Sequence, residues 1–71
     1  MKPLPFREVK RKLEAAGFTE QGQTGSHLKF ARTTVFGTRT ATVPKHHEVA
    51  PGTLRSILRQ AGLSADEFDA L

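Results

Sequence analysis

The chain has 71 residues, the size of one domain (residues 1–71), and its 11 Lys plus Arg against 7 Asp plus Glu give a formal net charge of +4. The absence of cysteine excludes a disulfide framework and a thiolate metal site and fits a reducing, cytoplasmic setting. Met1–Pro5 lacks the apolar core of a signal peptide, and no run approaches the ~20 apolar residues that span a bilayer, so a soluble protein with no membrane association is expected.

The acids Asp66, Glu67 and Asp69 lie at the carboxyl end, so the chain ahead of them is more basic than the total implies and favours a polyanionic partner. Tyr and Trp are absent, which removes the usual stacking platforms for single-stranded bases. Phe6, Val9, Leu13 and Ala16 recur at steps of three and four and predict an amphipathic helix, with Arg7, Lys10, Arg11, Lys12 and Glu14 on its wet side. Pro5 suits its first turn, Gly17 its end, and Glu8 with Lys12 an i,i+4 ion pair.

Phe18–Gln21 reads as a short strand entering a glycine-containing loop, Gly22–Gly25, with Ser26–Arg32 returning antiparallel. A second loop, Thr33–Gly37, carries Val35 and Phe36 at its tip. Thr38–Val43 resumes the alternation and Pro44 ends it. Lys45–Gly52 is a connector. Leu54, Ile57, Leu58 and Ala61 form a second helical stripe, with Gly62 as its stop. Ser64 and Glu67 then make a capping box, and Leu63 with Phe68 a staple, for a last helical turn. The order is α-β-β-β-α plus that turn, an α+β fold. Its three-stranded antiparallel sheet has both helices on one face, because Leu28, Phe30, Ala41 and Val43 need a cover.

Alternation along Ser26–Arg32 leaves His27 and Lys29 on the uncovered face, beside Thr40 and Thr42. A neutral imidazole accepts a proton from a ribose 2′-hydroxyl, which then attacks the adjacent phosphorus. His27 is the candidate base, and RNA the candidate substrate. Lys29, Arg32, Arg39 and Lys45 are candidate donors to the phosphate, and His46 is the candidate acid for the leaving 5′-oxygen. His46 and His47 are a poor metal pair, since adjacent side chains diverge and no suitably spaced carboxylate completes a site; no metal or other cofactor is expected.

Gly25-Ser26-His27, Phe30, Val43-Pro44-Lys45-His46 and the run Gly52–Ser64 stand in an order and spacing that resemble the HicA family of bacterial and archaeal toxins, over essentially the full length. The resemblance implies a double-stranded-RNA-binding-domain-like fold. It further implies a ribosome-independent mRNA interferase of a type II toxin–antitoxin system, neutralised by a HicB-type antitoxin. It puts the catalytic histidine at His27 and a contributing one at His46. A monomeric toxin that forms a hetero-oligomer with its antitoxin is the corresponding assembly. The rivals are a non-catalytic double-stranded-RNA-binding module and a subunit whose whole function is to meet an acidic partner.

Overall fold

The structure is a computed structural model that describes residues 1–71. Its first element is a two-residue strand, β1 (Leu4–Pro5), which leads directly into helix α1 (Phe6–Ala15). Val9 and Leu13 are fully buried on the apolar side of α1. Lys12, read from the sequence as a wet residue paired with Glu8, is instead only 8% exposed. Its ammonium donates to the Phe68 and Leu71 carbonyls at 3.1 Å each. Glu8 takes Arg11, which forms a bidentate pair at 3.0 Å. A stem of four methylenes lets a lysine at the edge of an apolar stripe bury its length and still reach acceptors.

Strand β2 (Thr19–Thr24) begins after Phe18, which is itself buried, and runs through most of the stretch expected to be a loop. Strand β3 (His27–Thr34) follows a turn of only Gly25 and Ser26. Gly25 has φ +59° at the first central position, the conformation that glycine supplies in a primed hairpin turn. The ladder is interrupted once, between Glu20 and Gly22, where Gln21 is the extra residue.

Strand β4 (Gly37–Pro44) pairs with β3 from Thr34↔Gly37 to His27↔Pro44. The second expected loop thereby contracts to Val35 and Phe36, which are 94% and 97% exposed. A further short strand, β5 (Glu48–Val49), lies in the predicted connector and pairs with β1 as a separate ribbon. Helix α2 (Pro51–Ala61) begins on proline and ends on Gly62 in the left-handed conformation, φ +73°, which relieves the unpaired carbonyls of its last turn. Helix α3 (Ala65–Asp69) has the full capping box, with both Ser64–Glu67 bonds in place.

The main sheet has order β2-β3-β4 and is antiparallel throughout, in the α+β arrangement expected. Leu28 and Phe30 of β3 and Ala41 and Val43 of β4 pack with Val9, Leu13, Leu54 and Ile57 of the two long helices in one core. Phe68 brings α3 into the same cluster. Every core side chain of the sheet thus lies on one face, and the helices leave the other uncovered. No helix is long and apolar enough to cross a membrane.

Candidate functional site

His27 opens β3 immediately after the Gly25-Ser26 turn, opposite Thr24 on one side and Pro44 on the other. Lys29 stands two residues along, opposite Gly22 and Thr42. Directly opposed residues project to the same side of a sheet, with Cβ atoms ~4.5–5.5 Å apart. Because Leu28 and Phe30 point to the helices, Thr24, His27, Lys29 and Thr42 point to the uncovered face, while Pro44 beside His27 is buried. His27, Lys29, Thr24 and Thr42 are all exposed there.

They surround a depression of about 390 Å³ lined also by Gln21 and Gly22, with no apolar side chain in its wall. Gln21 is the bulged residue, and bulges commonly re-aim side chains beside functional sites. Thr24 escaped the sequence reading because the polar run Gly22–Gly25 has no alternation to mark it as strand, and Gln21, read as strand, because nothing in the sequence marks the bulge. Extending β2 by register from the tight turn would have set Thr24 against His27.

Lys45 prolongs the β3–β4 ladder by one bond, its N–H donating to the Ser26 carbonyl at 2.6 Å. It is exposed at the same end of the sheet as His27. His46 follows it, exposed, two residues beyond the Pro44 that pairs with His27. The three histidines do not gather with acids into a metal-ligand group. The two ion pairs, Lys10–Glu20 and Arg11–Glu8, lie away from this face, so no acid offsets the charge of Lys29. The perturbed carboxyls are also elsewhere. Glu8 is held below its ordinary range by its hydrogen bond to Arg11, and Glu67 by its hydrogen bonds with Ser64.

Arg32 and Arg39, expected to help bind the phosphate, stand apart from this group. They oppose each other on the helix-covered face, toward the Val35-Phe36 turn. Strand parity decides this: position 32 falls in register with 28 and 30, not with 27 and 29. Arg32 donates to the Ala16 carbonyl at 2.9 Å and lies over the Phe18 ring at 5.1 Å. Arg39 lays its guanidinium against Gly62, within 2.9 Å of where a Cβ would stand. Each arginine sits at the carboxyl end of a long helix, where a positive charge complements the helix dipole.

The group formed by His27, Lys29, Thr24 and Thr42 can accept one proton and surround an anion with donors, while Lys45 and His46 are exposed at the same end of the sheet without lining the depression. Among known families, the model for HicA toxin of bacterial toxin-antitoxin matches residues 6–63. Comparison with curated proteins gave no significant match. The matched segment runs from the first residue of α1 to just past the Gly62 cap, and contains the whole three-stranded sheet and every residue of the depression. The chain belongs to the HicA toxin family of bacterial toxin–antitoxin systems.

Proposed function

We propose that this toxin is a metal-independent endoribonuclease, an mRNA interferase that acts in the cytoplasm, with His27 as its general base. The observation that carries the reading is the position of His27: exposed, beside the unpaired Lys29, in a wholly polar depression on the uncovered face of the sheet. A ring nitrogen of neutral His27 accepts the proton of a ribose 2′-hydroxyl. The 2′-oxygen then forms a bond to the neighbouring phosphorus while the bond from phosphorus to the 5′-oxygen breaks. The leaving oxygen takes the electron pair and a proton, for which His46 is the donor. The products are a 2′,3′-cyclic phosphate and a free 5′-hydroxyl.

Negative charge accumulates on the nonbridging oxygens as the bond forms, and the ammonium of Lys29 stabilises it, with Lys45, exposed at the same end of the sheet, as a second source of positive charge. Arg32, held by the Ala16 carbonyl, and Arg39, beside Gly62, project to the other face and are given no part in this mechanism. The toxin alone is monomeric, and its antitoxin, of HicB type, silences it as a hetero-oligomer by covering His27.

The test is incubation of purified protein with mRNA, wild type against His27→Ala. A general base is worth ~10²–10⁴ in rate, so the variant is expected to lose cleavage by at least the lower figure. Its melting temperature should stay level, since an exposed strand residue contributes little packing. Undiminished cleavage by His27→Ala would defeat the assignment. A non-catalytic double-stranded-RNA-binding module, the rival with the same fold class, would retard RNA and leave it intact, without cyclic-phosphate ends.

A further inference from the structure

Threonine hydroxyls are spread along the uncovered face, and they are not all in the same state. Thr33 and Thr38 satisfy each other at 3.0 Å. Thr19 donates to the Ala31 carbonyl and accepts from the Gln21 amide at 2.9 Å. Thr42 joins the hydrogen-bond network through its backbone N–H, while its hydroxyl stays free at the wall of the depression, directly opposite Lys29. Thr24 also lines the depression, but on the outer strand β2 with no helix bracing it, and Thr40 lies outside the depression.

What distinguishes Thr42 is a brace. Its N–H donates to Gln60 Oε1 at 3.0 Å, and the Gln60 amide donates in turn to Ser56 Oγ at 3.3 Å. A side-chain bridge from α2 therefore crosses the outer edge of β4 and holds it at the residue that faces Lys29. A β-branched side chain also has few rotamers, so a fixed backbone gives a nearly fixed hydroxyl. A donor that need not reorganise is the kind that stabilises developing charge. The flexible lysine opposite supplies the full charge, and the threonine supplies direction.

We propose, on the basis of the reaction proposed above, that Thr42 is a substrate-contacting residue of this site. Its hydroxyl donates to one nonbridging oxygen of the scissile phosphate while Lys29 Nζ donates to the other. Gln60 is a positioning residue that acts through the Thr42 backbone.

The experiment uses RNA carrying a single cleavable linkage, either as the phosphodiester or as one of the two phosphorothioate diastereomers, with the full chain and its variants. Thr42→Val, which keeps the shape and removes the hydroxyl, should lower kcat by about 10²-fold, the usual effect of deleting one such donor, with KM and melting temperature nearly unmoved. Thr42→Ser should recover most of the loss. One diastereomer, with sulfur in place of the oxygen bound by Thr42, should be cleaved more slowly than the phosphodiester by the wild type, and that penalty should vanish in Thr42→Val while the penalty on the other diastereomer persists. Thr42→Ala gives the same readout if the valine variant folds poorly. Thr40→Val, two residues along the same face, should cleave like the wild type. Gln60→Ala should lower kcat, and Gln60→Glu, which keeps the accepting oxygen, should restore it.

An active wild type whose Thr42→Val variant cleaves as fast and discriminates as well overturns the role of Thr42 alone. So does a loss shared equally by Thr40→Val. A wild type that leaves RNA intact overturns the reaction and this inference together.

Discussion

The Lys12 ammonium closes the carboxyl end of α3, donating to the carbonyls of Phe68 and Leu71 and lying 5.3 Å from the Phe68 ring. A buried cation with several oxygen acceptors is costly to disturb, because removing the donors leaves the carbonyls unpaired. Hydrogen bonds to charged groups are worth ~1.5–3 kcal/mol, so Lys12→Met, which keeps the apolar stem, should destabilise the fold by about that much. Denaturant titration checks it, and RNA cleavage per folded molecule should be unaffected. Neither the burial of Lys12 nor its partners could be read from its neighbours in the chain, since the acceptors lie 56 and 59 positions away. His27 and Lys29 were readable, because two-residue alternation against Leu28 and Phe30 needs no long-range information. The same parity would have excluded Arg32 from the phosphate site.

Among the elements, α3 is the shortest helix and the most dependent on its cap. Glu67 has a lowered pKa, caused first by the hydrogen bond its carboxylate accepts from the Ser64 backbone and then by that from the Ser64 side chain. A carboxyl titrating lower in the folded than in the unfolded chain means that the unfolded chain binds protons first as pH falls. The stabilisation is therefore present above the ordinary carboxylate range and is lost as pH drops through it to the folded value. Acidification should loosen α3 before the sheet, seen as faster amide exchange near Phe68, and Glu67→Gln should blunt that response. A fast-exchanging α3 at neutral pH would contradict the role given to the cap.

Element identity was legible wherever apolar residues kept a period. The stripes Phe6–Ala16 and Leu54–Ala61 yielded both long helices, and Ser64 with Glu67 announced the third. Strand ends were not legible. Gly22–Thr24 and Thr33–Thr34 are polar or glycine at every position, so neither face carries a burial signal, and their strand character comes from pairing with β3 and β4. The β1–β5 ribbon, two residues on each side, is too short to show any period.

At the scale of the whole molecule, the net charge of +4 means that affinity for the RNA substrate proposed above should fall as salt rises. For single strands log K changes with log salt at ~0.7 per neutralised phosphate. Lys29→Gln and Lys45→Gln should each reduce the slope by about that amount, whereas Arg39→Gln, on the other face, should leave it unaltered. Filter binding across a salt series, with uncleavable 2′-O-methyl RNA, separates these outcomes. Equal slopes for all three variants would mean that charge acts through the overall field and not through contacts on the His27 face.

One sheet thus carries its packing on the helix side and the polar candidate site on the other. Substitutions at 24, 29 and 42 meet solvent, while those at 28, 30, 41 and 43 meet the core. On the reaction proposed above, a lineage carrying this toxin can therefore lose or retune its activity, or its contact with an antitoxin, by changing solvent-facing positions at almost no cost to the native state. Selection on the proposed reaction and selection on foldability act on alternate letters of the same strand.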